Sequence, residues 1–214
     1  MLDRVHLFAD LAANETDVLT EHCSTRSYPA NAILINEGDT TDSLYVILEG
    51  QVKVYASDEN GKEIILNILG AGEYFGELAL IDDAPRSASI MTLAPSKLMI
   101  ISKSDFRRCL AEHPQIAYNL IRALTRQVRT LTESVKSLAL MDVYGRVART
   151  LLDLAVEKDG TLIIEQKLTH QDIANMVGAS REMISRIFKD LTAGGYISVD
   201  KKHITINEKL PPGW

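Results

Sequence analysis

The sequence predicts an α+β chain of three parts in order: an N-terminal jelly-roll β-barrel, a long central helix and a C-terminal winged helix-turn-helix. Three observations lead there. Short apolar runs broken by turn residues fill residues 27–102, an apolar spacing of alternating fours and threes runs from Ala117 to Leu138, and two capped amphipathic segments meet at Gly178. The expected boundaries are 1–112 for the barrel, 113–141 for the helix and a hinge, and 142–214 for the C-terminal domain. A chain of 214 residues, 46% hydrophobic and 24% charged, is long enough for two small domains.

In the first part the apolar runs are Ile33–Ile35, Leu44–Leu48, Val52–Tyr55, Ile64–Leu69, Ser89–Leu93 and Leu98–Ile101. Between them, Glu37-Gly38-Asp39, Glu59-Asn60-Gly61 and Leu69-Gly70-Ala71-Gly72 carry the residues that hairpin turns need. Many short strands at close spacing predict a sandwich or jelly-roll barrel.

One stretch interrupts the strands: Phe75-Gly76-Glu77-Leu78-Ala79-Leu80-Ile81-Asp82-Asp83-Ala84-Pro85-Arg86-Ser87-Ala88. Gly76 can take the positive φ of a tight helix entry, and the unpaired N–H groups that follow favour an anion. Arg86 brings a planar, permanently charged donor fork to that anion, while Glu77 suits a ribose hydroxyl. Pro85 ends the short helix and turns Arg86 back toward the pocket. A Gly-Glu-Leu triplet opens many helices and an Arg after Pro is commonly solvated, so each part alone says little. Together they can hold a cyclic nucleotide. The arrangement resembles the phosphate-binding cassette of cyclic-nucleotide-binding domains: Gly-Glu-Leu, a gap, then Arg-Ser-Ala. That resemblance implies Glu77 on the ribose 2′-hydroxyl, Arg86 on the cyclic phosphate, and backbone N–H groups near Leu78 and Ser87 completing the cradle.

Pro114 suits the first turn of the central helix, and Ala117, Ile121, Leu124, Val128, Leu131, Val135 and Leu138 form one narrow stripe, with Arg122, Arg126, Arg129, Glu133 and Lys136 off it. A helix packed on its own barrel is the plainer reading. The regular period favours a parallel homodimer through this seam.

Asp142 then suits an N-cap for a helix with Val147, Leu151 and Leu154 on one side, and Leu162-Ile163-Ile164 reads as a strand. Two helices follow, the first capped by Thr169 with Asp172 as a near capping box, the second capped by Ser180, with Gly178 supplying the turn. Ile173, Ala174, Val177, Ile184, Ile187 and Leu191 fill the inner faces. Gly194-Gly195 stops the second helix, and Tyr196–Val199 with Ile204–Ile206 reads as a β-hairpin wing. Arg181, Glu182 and Arg186 share an outward face at the start of the second helix, where a recognition helix meets base edges. Arginine can grip guanine O6 and N7, and glutamate can accept from cytosine N4. Thr169, Gln171, Ser180 and the wing residues Lys201 and Lys202 are candidate phosphate contacts, which set register without selecting sequence.

Composition narrows the function classes. The net charge of −6 is uneven: residues 1–142 hold 13 Lys+Arg against 20 Asp+Glu, and residues 143–214 hold 10 against 9. A balance of +1 does not by itself establish DNA binding, so the pattern of residues carries that reading. Neither a leader nor an apolar run of membrane-spanning length is visible, which points to a cytoplasmic protein without a membrane partner. Cys23 and Cys109 lack the spacing of a metal site or disulfide framework, no metal site is expected, and the histidines read as surface or cap residues. No hydrolase, zinc-protease or phosphate-loop motif appears, so neither an enzyme nor a catalytic cofactor is expected.

The order of the parts, with Leu138-Ala139-Leu140-Met141-Asp142-Val143-Tyr144-Gly145-Arg146 and Val177-Gly178-Ala179-Ser180-Arg181-Glu182, resembles the cAMP receptor protein branch of the Crp/Fnr transcription regulators over nearly the whole chain. The resemblance implies a homodimeric regulator that binds double-stranded DNA at palindromes with GTGA-type half-sites read by Arg181, Glu182 and Arg186. It implies cAMP or a related cyclic nucleotide as effector and RNA polymerase as a further partner. In that branch a Thr-Ser pair on the dimer helix contacts the adenine; here the pair is Leu131-Thr132. Thr132 can stand in for the Ser, whereas Leu131 offers the base no hydrogen bond. Cyclic di-GMP, cGMP, another small molecule or no effector at all are the alternatives.

Overall fold

In the computed structural model, residues 5, 7–9, 20, 23–158, 160–166, 168–200 and 203–210 are described, and Lys201 and Lys202 lie outside them. The chain divides into two compact units, 1–129 and 130–214.

Among the described residues the first unit holds eight strands: β1 (Ser24–Tyr28), β2 (Ile33–Ile35), β3 (Ser43–Glu49), β4 (Gln51–Ser57), β5 (Glu63–Gly70), β6 (Tyr74–Phe75), β7 (Ser89–Thr92) and β8 (Ser96–Ser102). They pair antiparallel in two four-stranded sheets, β1-β8-β3-β6 and β2-β7-β4-β5, which is the jelly-roll arrangement. The Asn60-Gly61 turn closes a true hairpin, β4 on β5. The turn at Glu37-Gly38-Asp39, expected to serve a hairpin, instead carries the chain from β2 in one sheet to β3 in the other. A jelly roll is wound by such crossings. Two short strands, β1 and β6, bring the six apolar runs of the sequence to eight; β1 shows no alternating apolar face and β6 is only two residues long.

Why β3 and β8 are apolar at successive positions follows from burial on both faces. Ile47, Leu98 and Phe75 join Ile35, Val52, Leu69 and Ile90 inside the barrel. Leu44, Val46, Met99 and Ile101 face the opposite way, into a second core. Among the described residues, α1 (Leu78–Ile81), α2 (Lys103–Glu112) and the start of α3 (Pro114–Leu140) pack on that core. Leu80 of α1 and Phe106 of α2 are almost wholly buried there, so the short cassette helix is anchored by its apolar side. The sequence reading did not include α2. Its signal was present: Ser102 caps it, accepting from Asp105 N–H at 3.1 Å and donating to Asp105 Oδ2 at 2.6 Å.

The first turns of α3 correct the single-stripe expectation. Ile116 and Leu120, not Ala117 and Ile121, are buried against the barrel, and Leu124 packs partly beside them. This row lies next to the stripe and meets it at Leu124, because a helix of 3.6 residues per turn brings steps of four slowly around its axis. Beyond it Ile121, Val128, Leu131, Val135 and Leu138 remain exposed, Val128 at 62% and Val135 at 64%.

The second unit contains α4 (Val143–Leu154), β9 (Val156–Lys158), β10 (Thr161–Ile164), α5 (His170–Val177), α6 (Arg181–Ala193), β11 (Ile197–Asp200) and β12 (His203–Ile206). The wing is larger than the hairpin expected, since β11-β12-β10-β9 form one antiparallel sheet. Asp142 caps α4 by accepting from Gly145 N–H at 2.7 Å. Val147, Leu151, Ile164, Ile173, Val177, Ile184, Leu191 and Ile204 are buried.

Arg146 ties this unit together. Its Nη1 donates to Met141 O at 2.9 Å, just past α3, and its Nε donates to Val177 O at 2.8 Å, the last residue of α5. Carbonyls at helix ends lack intrahelical partners, and a cation there also meets the negative end of the helix dipole. We expect Arg146→Ala to lower the unfolding free energy of the second unit by about 1.5–3 kcal/mol, the worth of hydrogen bonding to a charged group. Urea unfolding followed by circular dichroism, with wild type as reference, measures it.

Candidate functional site

Two sites emerge, one in each unit. In the first, β6 delivers the chain to Gly76, whose φ is +89°. A Cβ on this residue would lie 2.6 Å from Arg86 Nη1 and 3.0 Å from Ser43 O. Only glycine fits, for backbone and for space. Glu77 follows at the cap of α1, 7% exposed, and Arg86 is 4% exposed.

The Arg86 guanidinium is held by the protein's own acceptors. Nη1 donates to Gly76 O at 2.6 Å, Nη2 to Ser43 O at 2.7 Å, and Nε to Thr41 Oγ1 at 2.8 Å. Its backbone is fixed as well, with Arg86 N–H donating to Asp39 O at 2.9 Å and Gly38 N–H donating to Arg86 O at 2.8 Å. A guanidinium has five N–H groups, so these three bonds leave two outside them for an incoming anion. Burial pulls its pKa down from the usual range, while Tyr45, Glu77, Asp42 and Asp39 act the other way.

Burial has the opposite effect on the Glu77 carboxyl, raising its pKa; its own backbone hydrogen bond and the Arg86 charge oppose the rise. Tyr74, half-buried in the same field, is pushed up to about 12 by burial and then by Glu77, with Arg126 opposing. Tyr45 stacks on Phe75 with ring centroids 5.0 Å apart. The structure therefore brings Gly76, Glu77 and Arg86 together, with Leu78 half-buried and Ser87 exposed beside them. Thr41 and Ser43 are the residues the sequence did not reveal; they lie more than forty positions from Arg86, and only folding makes them its neighbours. Leu131 and Thr132 both belong to the second unit's part of α3 and are exposed, Leu131 at 42%.

In the second unit the helix-turn-helix is built as its caps dictate. Thr169 and Asp172 form a full capping box, with Thr169 Oγ1 accepting from Asp172 N–H at 3.1 Å and Asp172 Oδ2 accepting from Thr169 N–H at 2.8 Å. Gly178 ends α5 in the left-handed region, φ +66°. Ser180 Oγ accepts from Met183 N–H at 3.2 Å, opening α6. Arg181, Glu182 and Arg186 are exposed on α6 while Ile184, Ile187, Phe188 and Leu191 are buried. Among the described residues no ion pair engages those three charged side chains. Exposed Ser185 and Lys189, four and eight residues past Arg181, share their face and widen it. That spacing was legible beforehand. Thr169 and Gln171 are exposed at the start of α5, Gln171 Nε2 donating to Asn175 Oδ1 at 2.8 Å.

Comparison with known proteins agrees with this layout. Residues 25–113 match the family model of the cyclic nucleotide-binding domain, and residues 145–209 match that of the Crp-like helix-turn-helix domain. The cAMP-activated global transcriptional regulator CRP of Pasteurella multocida is 38% identical over 192 residues, covering 86% of this chain and 90% of that protein. The CRP-like cAMP-activated global transcriptional regulator of Mycobacterium tuberculosis is 31% identical over 212 residues, covering 97% of this chain and 95% of its own. Among solved structures, the c-di-GMP responsive global regulator CLP of Xanthomonas campestris superposes with a TM-score of 0.80 at 27% identity, over 92% of this chain and 100% of that one. With a nucleotide cassette in one unit, a capped helix-turn-helix in the other, and relatives matched over almost their full length, the chain belongs to the Crp/Fnr superfamily of DNA-binding transcription regulators, in the cAMP receptor protein branch.

Proposed function

We propose that the protein acts as a homodimer whose DNA affinity is set by a cyclic nucleotide, cAMP in the first instance. In this reading residues 1–112 sense, 113–141 dimerise and hinge, and 142–214 read DNA. The observation that carries it is the pairing of a buried guanidinium and a buried carboxyl, Arg86 and Glu77, behind a glycine turn, in a chain that also presents an uncommitted Arg181-Glu182-Arg186 face. Arg86 takes the cyclic phosphate through its two remaining N–H groups, helped by backbone N–H groups near Leu78 and Ser87. Glu77 accepts from the ribose hydroxyl. Val128, Leu131, Val135 and Leu138, exposed along α3, supply the seam for a second copy.

Two recognition helices about one DNA turn apart, roughly 34 Å, then meet GTGA-type half-sites of a palindrome. Ligand shifts this only if it binds the DNA-competent form better. Moving a 1:99 equilibrium to 99:1 takes about 5.5 kcal/mol, about half from each of two sites. RNA polymerase is the proposed partner of the DNA-bound dimer. A second effector, cyclic di-GMP, is favoured by two observations: Leu131, apolar where the family's adenine contact is polar, weakens the case for a single adenine, and a structural neighbour is described as c-di-GMP responsive.

A mobility-shift titration of a GTGA palindrome with cAMP, cGMP or cyclic di-GMP tests the proposal. Tighter DNA binding with cAMP supports it, a response to cyclic di-GMP alone establishes the second effector, and indifference to all three removes nucleotide control. Arg86→Ala should weaken nucleotide binding at least about tenfold in calorimetry, from the loss of a charged hydrogen bond of about 1.5–3 kcal/mol. Because folding raises the Glu77 pKa, this group's stabilising contribution grows as pH falls through that raised value and is lost as pH rises through it. Nucleotide binding runs the other way. An ionised carboxylate is the stronger acceptor for that hydroxyl, so affinity should weaken as pH falls through the raised pKa, and Glu77→Gln should abolish that dependence. Arg186→Ala should flatten base preference at one half-site position in a binding-site selection; an unaltered preferred sequence contradicts its reading role.

A further inference from the structure

Residues Asp82 to Pro85 join α1 to Arg86, and this loop is fixed more firmly than its exposure suggests. Asp82 Oδ1 accepts from Ala84 N–H at 3.1 Å. Asp83 sits in the left-handed region, φ +59°, where Asp and Asn are tolerated better than most side chains. Its carboxylate is gripped from α2 by two cations: Lys103 Nζ donates to Oδ1, and Arg107 Nη2 lies 3.0 Å from both Oδ1 and Oδ2. Arg107 Nη2 also reaches Leu80 O at 3.4 Å. These bonds, from Lys103 first, hold the Asp83 carboxyl below the usual carboxylate range.

The same helix touches the other wall of the site. Lys103 N–H donates to Asp42 O at 3.0 Å, between Thr41 and Ser43, the two residues that hold the Arg86 side chain. Under both walls, Leu80 of α1 packs in one core with Phe106 and Cys109 of α2. Helix α2 is thus the common anchor for the segment that carries Arg86 and for the strand start that orients its guanidinium.

We propose that Asp83, through Lys103 and Arg107, is a positioning residue for the anion site: the clamp fixes the Asp82–Pro85 loop on α2 and thereby sets where Arg86 meets a cyclic phosphate. It rests on the nucleotide reading above. Exposed ion pairs are individually weak and screened by salt, so the clamp adds a modest, salt-sensitive increment to affinity.

Asp83→Asn is the informative variant, because Asn keeps the shape and tolerates the left-handed backbone while removing the charge. Calorimetry with cAMP and with cyclic di-GMP at low salt should show affinity about three- to tenfold weaker than wild type. At about 1 M NaCl, where the Debye length is about 3 Å, the two proteins should converge. The Lys103→Gln/Arg107→Gln double variant should lose as much, and adding Asp83→Asn to it should cost nothing further. Without ligand, the amides of Asp82, Ala84 and Arg86 should exchange hydrogen at least about threefold faster in Asp83→Asn at low salt. Unaltered exchange overturns the clamp, as does an affinity loss that persists at high salt or adds to that of the double variant. Should wild type bind neither nucleotide, the effector reading fails while the exchange measurement still decides the clamp.

Discussion

A guanidinium taken out of water needs acceptors on each of its nitrogens, and three separate segments of the first unit come together to supply them at Arg86. Its acceptors come from three places: the carbonyl before Glu77, the first carbonyl of β3, and the hydroxyl of Thr41. Each can serve only if the chain approaches very closely. Position 76 is therefore glycine, since any Cβ would strike both the guanidinium and the Ser43 carbonyl. The backbone bonds between Arg86 and the Gly38–Asp39 turn close the ring from the other side. Leaving such a group buried and unpaired would cost more than any single bond contributes, so the cassette and the start of β3 are fixed together.

The same device recurs in the second unit at lower burial. Arg146 spends its donors on the orphan carbonyls of Met141 and Val177, joining the end of the long helix to the turn ahead of the recognition helix. In both units an arginine stabilises backbone where regular hydrogen bonding stops. The two differ in what remains: Arg86 has two N–H groups outside its three bonds, whereas Arg146 lies between helix ends. The long helix likewise changes its surroundings along its length. Ile116 and Leu120 close the barrel's outer core, and past Leu124 its apolar row stays in water, consistent with a second copy covering it.

How much of this was legible beforehand varies with the range of the interaction. Local chemistry read well: the helix-turn-helix was marked by Thr169, Asp172, Gly178 and Ser180, whose caps and turn all act within a few residues. Gly76 and Pro85 likewise announced a tight entry and a stop. Strand pairing read less well, because Glu37-Gly38-Asp39 looks the same whether it closes a hairpin or crosses between sheets. Helix α2 was missed although Ser102 and Asp105 signalled its start, since its apolar residues are few and its polar ones many. The partners of Arg86 could not be read at all; nothing about Thr41 or Ser43 marks them until β3 is laid beside the cassette.

If the cassette gates the DNA-reading face, the coupling must run both ways, because an effector that raises DNA affinity by some factor has its own affinity raised by DNA through the same factor. The most direct measurement is the dissociation constant of cAMP, and then of cyclic di-GMP, for the free protein and for the protein saturated with a GTGA palindrome. Gating predicts tighter nucleotide binding on DNA for the true effector, by the factor with which that nucleotide tightens DNA binding. Equal constants on and off DNA for every nucleotide that binds would contradict it, leaving a nucleotide site and a DNA reader that share a chain without communicating.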